Sequence, residues 1–190
     1  MRRIGVFVSL FTCVGLLVAA AATVEVAAEK EKQRGNRQVF MWDDCDPTDP
    51  AWTALGGCSL SEGAVTLGEF NTYLFSPLHP SQIGHPSWAF EPGYLTIKAG
   101  KSVAVSNEGG RPHSFTQVAN FGGGVVPPLN LSRPGSGAPP LTPAPECVAG
   151  FVPIAGGGTS VVEGLAPGDY KFQCCFHPWM RALVKVSDEN

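Results

Sequence analysis

The sequence has little charge, and the charge that it has is nearly balanced. Only 15% of its 190 residues are charged, and 13 basic residues against 16 acidic residues give a formal net charge of −3. Proteins that bind nucleic acid or anionic membranes usually carry a clustered excess of lysine and arginine. The composition therefore predicts no nucleic-acid partner and no electrostatic attachment to a membrane surface.

Convincing helical periodicity and internal repeats are also absent beyond the N-terminal segment. Glycine (23) and proline (17) are abundant, and they do not follow a collagen-like period. From Trp88 onward, short segments of alternating hydrophobicity such as 101–106 are separated by turns. This pattern predicts an all-β fold, a sandwich or a barrel, and we interpret 64–75 as a further strand with a bulge.

The first 28 residues resemble an export signal peptide. Two arginines precede an uncharged, mostly apolar run over 4–24, and small residues follow at the points where a signal peptidase would cleave. We expect cleavage after Ala22 or Ala28 and an exported protein, either periplasmic or secreted. The apolar run is also long enough to remain as a membrane anchor, which needs about 20 apolar residues.

The rest of the chain divides by composition into an extension and a main domain. Residues 29–63 form an N-terminal extension, which begins with a charged leader and contains two cysteines among Asp, Pro and Gly. Residues 64–188 contain the regular strand signals, and a long insert rich in glycine and proline interrupts them at 119–158. Loops of this length are uncommon in compact domains and are usually functional or disordered.

The number of cysteines leaves one thiol without a disulfide partner. Cys13 lies in the signal peptide, so five of the six cysteines remain in the exported chain. An odd number of cysteines in an exported protein leaves one thiol free, and a metal site is a natural use for it. Cys45 and Cys58 could close a short disulfide loop within the extension.

Strand periodicity identifies Cys174 as the free, inward-facing thiol. Tyr170, Phe172 and Cys174 share one face of a strand, and Cys175 lies on the other face. The aromatic face is the buried one, so the Cys174 sulfur points into the end of the domain. Cys175 points to the opposite surface, and its preferred disulfide partner is Cys147 in the insert, although sequence does not fix the connectivity.

A thiol, an imidazole and a thioether recur at three-residue intervals in Cys174, His177 and Met180. The turn after Cys174 returns His177 and Met180 to the sulfur, and His113 arrives from a loop between two other strands. One Cys, two His and a weak Met form the ligand set of a mononuclear type 1 copper site, which cycles between Cu(I) and Cu(II). We therefore predict a copper site at these four residues.

These motifs resemble the plastocyanin and amicyanin branch of the cupredoxins, the blue copper proteins. The matching residues are Phe90-x-Pro92-x-x-Leu95-Thr96-Ile97-Lys98-Ala99-Gly100, Asn107 and Pro112-His113, followed by Gly168-x-Tyr170-x-Phe172-x-Cys174-x-x-His177-Pro178-x-Met180. The resemblance covers 88–186 without the insert 119–158. It implies that the main domain is a Greek-key cupredoxin β-sandwich with one copper ion at one end.

The resemblance also implies a role for each ligand. Cys174, His113 and His177 would be equatorial ligands and Met180 the axial one, and electrons would leave through an exposed His177 beside a docking surface that includes Pro178 and Trp179. The chain departs from the family in three places: the long insert, the additional Cys175, and Ser114, where the family often has Asn. A hydroxyl at 114 can still hydrogen-bond near the site, and such contacts tune metal affinity and potential.

We therefore favour a monomeric one-electron carrier between redox partner proteins, not an enzyme. A multicopper oxidase or nitrite reductase needs many histidines, and this chain has four, without a His-x-His pair. The alternative is a periplasmic copper-handling protein without an electron-transfer role, which the ligand set does not exclude. Such proteins often have clusters of exposed Met or His, and this chain has three Met and no cluster. A metal-free structural domain is disfavoured because all four ligands are present.

Two other groups of polar residues carry weaker predictions. His79 and His85 lie in loops next to prolines and could form a second metal site, but a surface or hydrogen-bonded histidine is the simpler interpretation. Asp43, Asp44 and Asp46 could bind a cation, but aspartates in this spacing more often form a turn.

Overall fold

The structure, a computed structural model, describes residues 37–75, 84–131 and 139–188. The signal peptide predicted at 1–28 and the histidine at position 79 lie outside these ranges. The described residues form two four-stranded β-sheets that share one hydrophobic core, together with a few short helices. The predicted all-β sandwich is confirmed. None of the helices in the described ranges is long and apolar enough to cross a membrane.

The first sheet has its strands in the spatial order β2-β1-β4-β6. These strands are β1 (Arg37–Trp42), β2 (Ala89–Glu91), β4 (Val103–Asn107) and β6 (Thr159–Val162). β1 pairs antiparallel with β2 and parallel with β4, and β6 pairs antiparallel with β4. Because β1 occupies an inner position, its side chains on one face enter the core: Val39 and Met41 are fully buried.

The second sheet has the order β3-β8-β7-β5. These strands are β3 (Tyr94–Lys98), β5 (Thr116–Val118), β7 (Gly168–Gln173) and β8 (Arg181–Ser187). β8 pairs parallel with β3 and antiparallel with β7, which pairs antiparallel with β5. The buried residues alternate along β3 and β8 as the sequence predicts, with Leu95 and Ile97 on one strand and Ala182, Val184 and Val186 on the other.

The sandwich begins further upstream than the sequence suggests. β1 lies within 29–63, the segment predicted to be an extension, and it is an integral strand of the first sheet. Its apolar residues form a continuous run of only four, at 39–42, without alternation, and this run closely follows a charged leader, which gives a weak strand signal. The segment after β1 is fastened by the predicted Cys45–Cys58 disulfide, which the structure contains. The division into domains as a whole stays a prediction.

The interpretation of 64–75 as a strand is wrong. Within the described residues, the single turn Pro50–Thr53 is the first α-helix and Leu67–Phe75 is the second, and we call them α1 and α2. Thr66 and Glu69 form a capping box: the Thr66 hydroxyl accepts from the Glu69 backbone N–H at 3.1 Å, and the Glu69 carboxylate accepts from the Thr66 N–H at 2.9 Å. Phe70 and Leu74, four residues apart, form the buried face of α2.

The described parts of the insert 119–158 contain local structure. A 3-10 helix spans Pro127–Asn130, and a short helix, α3, spans Pro145–Ala149. The Asn130 side chain accepts from the Gly124 N–H at 2.7 Å and donates to the Gly124 carbonyl at 2.8 Å. The predicted Cys147–Cys175 disulfide is also present, and it ties α3 to the segment that follows β7.

Candidate metal centre

Three of the predicted ligands meet at one end of the sandwich. The donor atoms of His113, Cys174 and His177 all lie within 4.8 Å of one another, and all three residues are buried. The Cys174 Sγ is 3.7 Å from the Nδ1 of each histidine, and the two Nδ1 atoms are 3.2 Å apart. Among the cysteines in the described ranges, Cys174 is the free one. One thiol and two Nδ1 atoms therefore face a common point.

The loop between β7 and β8 places Cys174, His177 and Met180 together. The Cys174 backbone N–H donates to the Met180 carbonyl at 3.0 Å, and the Met180 N–H donates to the His177 carbonyl at 2.9 Å. These two bonds close the loop tightly. The Met180 side chain is buried in the same core cluster as Cys174. Its ligation of a metal stays a prediction.

His113 is held from the other side by a short backbone pairing. Its N–H and C=O bond to the C=O and N–H of Ile154 at 3.0 and 2.7 Å. The fully buried Asn107, at the end of β4, donates to the carbonyls of Arg111 and Ile154 at 2.9 and 2.8 Å and accepts from the Gly109 N–H at 3.0 Å. The turn that carries His113 is therefore fixed at both ends.

Ser114 links the His113 segment to the Cys174 segment. Its backbone N–H donates to the Cys174 Sγ at 3.4 Å, and its hydroxyl accepts from the Cys175 N–H at 2.9 Å. An N–H donor to the sulfur stabilises a thiolate, and the hydroxyl ties the two segments together. The hydrogen-bonding role expected for a hydroxyl at this position agrees with these contacts.

Asp43 is a part of the centre that the sequence did not reveal. Its Oδ2 lies 2.8 Å from the His113 Nε2, and both side chains are completely buried. The carboxylate also accepts from the backbone N–H groups of Gly110 and Arg111 at 3.0 and 2.8 Å. Since the Nε2 of His113 bonds to Asp43, the Nδ1 is left to face the thiol. No local signal links these residues, because they lie 70 positions apart.

The electrostatics of the cluster shift the pKa values of Cys174 and His177 towards their metal-binding forms, and that of Asp43 towards the carboxylate. Burial opposes ionisation of Cys174, but the hydrogen bond and charge of His113 outweigh it and lower the pKa of the thiol. Burial, together with the charge of His113, lowers the pKa of His177 well below its ordinary value. Burial also works to raise the pKa of Asp43, but its bonds to His113 and two backbone N–H groups lower it. A thiolate and a neutral imidazole are the forms that bind metal.

His113 differs from His177 because it has an anionic partner. Burial disfavours its protonation, but the hydrogen bonds to Asp43 and Cys174 raise the pKa of His113 to about 9. Without metal, a proton on His113 thus balances part of the buried negative charge. A metal cation bound at Nδ1 takes the place of that proton, because metal binding releases protons from its ligands.

The expected exposure of His177 is wrong. Its side chain is only 9% exposed, and Pro178 is fully buried. The rings of Phe70, Trp88 and Trp179 lie 6.5, 6.5 and 5.6 Å from the His177 ring, measured between centroids. Phe70 belongs to α2, the helix that was interpreted as a strand. The expected docking role of His177 assumed a bare loop, but Phe70 and Trp88 from distant parts of the chain, together with the neighbouring Trp179, pack against it.

His177 does contribute to the wall of one mostly apolar cavity. The cavity has a volume of about 490 Å³ and is lined, among others, by Trp52, Phe70, Arg111, Phe176 and His177. The Arg111 guanidinium group lies 5.1 Å above the Trp52 ring and donates to the Leu55 carbonyl at 2.7 Å.

The weaker sequence predictions do not lead to a second metal site in the described ranges. His85 packs against the rings of Phe70, Tyr73 and Trp88, with centroids 5.7, 4.7 and 4.8 Å away, and its Nδ1 accepts from the Ser87 N–H. Asp46 accepts from the hydroxyl and N–H of Thr48 in a turn. The His113, Cys174 and His177 group is the one metal-type cluster found in 37–75, 84–131 and 139–188.

Comparison with known proteins gives structural neighbours but no sequence relatives. No family model matches the chain, and no curated protein matches it in sequence. A purple cupredoxin from Nitrosopumilus maritimus is similar over 80% of this chain and 99% of its own, at 16% identity and a TM-score of 0.40. Amicyanin from Paracoccus versutus is similar over 55% of this chain and 78% of its own, at 20% identity and a TM-score of 0.35. The buried His-Cys-His cluster, by its own set of donor atoms, fits a type 1 copper centre.

Proposed function

We propose that this protein is an exported, monomeric electron carrier that holds one copper ion at His113, Cys174 and His177, with Met180 as a weak axial ligand. The observation that supports this most strongly is the convergence of one buried thiol and two imidazole Nδ1 atoms within 4.8 Å. Thiolate suits Cu(I), and imidazole suits copper in both oxidation states. Such a set allows one-electron cycling between redox partner proteins.

The rigidity of the ligands supports electron transfer. The loop of Cys174 is closed by its bond to Met180, and the turn of His113 is fixed by Asn107. Ligands that are locked by packing and hydrogen bonds present nearly the same geometry to both oxidation states. The protein therefore rearranges little when copper gains or loses an electron.

The burial of the ligands favours electron transfer over substrate turnover. A copper enzyme needs an open position where the substrate meets the metal, whereas all three ligand residues are buried; His177 borders the apolar cavity, but aromatic rings pack against it. Electrons can cross such a cover, but a substrate would have to displace it. Copper handling without redox cycling, the alternative, would require the metal to pass the same cover on its way to an acceptor.

The first experiment is a visible absorption spectrum of the purified protein after addition of Cu(II), followed by ascorbate and re-oxidation. We expect one copper per chain and an intense charge-transfer band from the Cys174 thiolate, which bleaches and then returns. Zn(II) is the control, because its filled d shell gives a colourless protein. Bound copper that stays colourless, or a band that does not return, would overturn the electron-carrier function. Copper passed to an acceptor protein without redox cycling would establish copper handling instead.

Met180 is tested by its replacement with leucine. Met180→Leu should keep the band and raise the reduction potential, because a weak donor to Cu(II) is lost. Each tenfold decrease in the ratio of Cu(II) affinity to Cu(I) affinity raises the reduction potential by about 59 mV. Protein-film voltammetry measures the shift. Met41→Leu is the matched control, since Met41 is equally buried but lies in β1. An unchanged potential in Met180→Leu would refute axial ligation.

A further inference from the structure

Asp43 lies directly behind one of the metal ligands. It follows the last residue of β1 and is 5% exposed. Its Oδ2 is 2.8 Å from the His113 Nε2, while the His113 Nδ1 lies 3.7 Å from the Cys174 Sγ. Carboxylate, imidazole and thiol therefore follow one another in a row. In metal sites of this kind, the outer carboxylate orients the imidazole and makes it a stronger donor.

The carboxylate is surrounded by donors. Its Oδ1 accepts from the Gly110 and Cys45 N–H groups at 3.0 and 3.3 Å, and its Oδ2 accepts from the Arg111 N–H at 2.8 Å as well as from His113. The three backbone N–H groups can only donate, so they favour the carboxylate form of Asp43, to which the His113 Nε2–H then donates. The hydrogen-bond geometry therefore indicates that the Asp43 carboxyl group is ionised.

Gly109 and Gly110 pack so closely against Asp43 and the disulfide that follows it that no side chain fits at either position. A Cβ atom added to Gly109 would lie 2.6 Å from the Asp43 Cγ and 2.7 Å from its backbone nitrogen. A Cβ atom added to Gly110 would lie 2.6 Å from the Cys45 Sγ, part of the disulfide that follows Asp43. The two glycines allow the backbone to approach closely enough for its N–H groups to reach the carboxylate.

The Arg111 guanidinium group interacts with the charge of Asp43 only at a distance, because its hydrogen bonds go to carbonyl groups. The Arg111 guanidinium group donates to the carbonyls of Leu55 and Gly57 and lies over the Trp52 ring. Among the described residues, the charged or chargeable side chain that the Asp43 carboxylate contacts is His113. The negative charge therefore acts mainly on the imidazole and, through it, on whatever the imidazole binds.

We propose that Asp43 is a positioning residue that holds His113 with its Nδ1 towards the metal and makes the centre prefer Cu(II) to Cu(I). This inference rests on the proposed copper function. The charges of Cys174 and Asp43 together balance Cu(II), whereas with Cu(I) the buried centre keeps one net negative charge. An unbalanced charge is costly where water is excluded, so the divalent ion gains more from Asp43.

The test compares the dissociation constants of Cu(II) and Cu(I), each measured by competition with a chelator of known affinity. Asp43→Asn should bind Cu(II) about 10- to 100-fold more weakly, as is typical when such an outer partner is removed. The loss for Cu(I) should be smaller, so that the ratio of Cu(II) affinity to Cu(I) affinity falls by about tenfold or more. This fall is equivalent to a rise of the reduction potential by about 59 mV or more. Asp43→Glu, which keeps the charge, should restore part of the ratio.

The matched control is Asp44→Asn, which removes the same charge one residue away. The Asp44 carboxylate accepts from the Ala64 N–H at 3.2 Å and contacts no ligand. The Asp44→Asn variant should have the same ratio of Cu(II) affinity to Cu(I) affinity as the wild type. An equal fall of the affinity ratio in Asp44→Asn would overturn the proposal, because it would indicate a general electrostatic effect. An unchanged affinity ratio in Asp43→Asn would overturn it as well, because Asp43 would then have no role.

A second measurement covers the case in which Asp43→Asn does not fold. In the Zn(II)-loaded wild type, nuclear magnetic resonance should show a downfield, slowly exchanging proton on the His113 Nε2, bonded to Asp43. Metal ligation through Nε2 would refute the assignment. A wild type that binds both copper states but does not cycle would remove only the electron-carrier function, since the affinity ratio can still be measured. A wild type that binds no copper would overturn both.

Discussion

Replacement of Cys174 by alanine is expected to abolish the visible band of the copper-loaded protein completely. The band requires a thiolate bound to Cu(II), and Cys174 is the free thiol among the described cysteines. His113 and His177 remain, so weakly bound, nearly colourless copper can persist. The measurement is the absorption spectrum together with the copper content per chain.

The matched control for Cys174→Ala removes the neighbouring disulfide. The double variant Cys147→Ser, Cys175→Ser leaves no stray thiol, and it should keep the band, because the Cys175 sulfur is bonded to Cys147 and not to the metal. A band that survives in Cys174→Ala would show that the sulfur ligand is assigned wrongly. A band lost only in the double variant would transfer the ligand role to Cys175.

Replacement of Trp88 by alanine is expected to lower the free energy of unfolding by about 3–5 kcal/mol, the usual cost of removing a buried large aromatic side chain. Trp88 is 1% exposed, and its ring packs against Trp52, Phe70 and His85 at centroid distances of 6.0, 4.7 and 4.8 Å. The loss would also leave a cavity beside His177. Urea denaturation of the metal-free protein measures the change.

Two further variants separate packing from hydrogen bonding at Trp88. The Trp88 Nε1 has no hydrogen-bond partner, so Trp88→Phe loses ring volume but no hydrogen bond, and it should cost clearly less than Trp88→Ala. Trp42→Ala should cost less than about 1 kcal/mol, because the Trp42 side chain is 40% exposed. Equal costs for Trp88→Phe and Trp88→Ala would contradict the packing explanation.

Three of the four candidate ligands could be found from sequence because their signals are local, whereas His113 lies 61 residues from Cys174. Cys174, His177 and Met180 lie within one turn, and strand alternation separates the inward sulfur of Cys174 from Cys175. The same alternation placed Cys175 on the opposite face, where Cys147 was its preferred partner although the connectivity stayed open, and the structure contains both expected disulfides. Periodicity of two residues is a property of any strand and requires no knowledge of distant contacts.

The surroundings of the ligands depend on distant contacts, which sequence patterns do not report. Asp43 belongs to a cluster of aspartates that looks like an ordinary turn, and only the pairing of β1 with β4 brings it to His113. The helix α2 had a readable signal in its capping box, Thr66 and Glu69, but its apolar residues also suited a strand. Part of the cover over His177, the Phe70 ring, comes from that helix and could not be derived without it.

Cys174 and Cys175 are adjacent in sequence, but their side chains lie on opposite sides of the chain segment. Cys174 keeps a free thiol, whereas Cys175 forms a disulfide. Cys174 lies in the main hydrophobic core, whereas the disulfide formed by Cys175 lies in a separate cluster with Val118 and Ala144. Thiol–disulfide exchange requires direct attack of one sulfur on another, so Cys174 would have to cross to the opposite side. A reduced thiol can therefore persist next to a disulfide in an oxidising compartment, and the chain can mature by oxidation before it takes up metal.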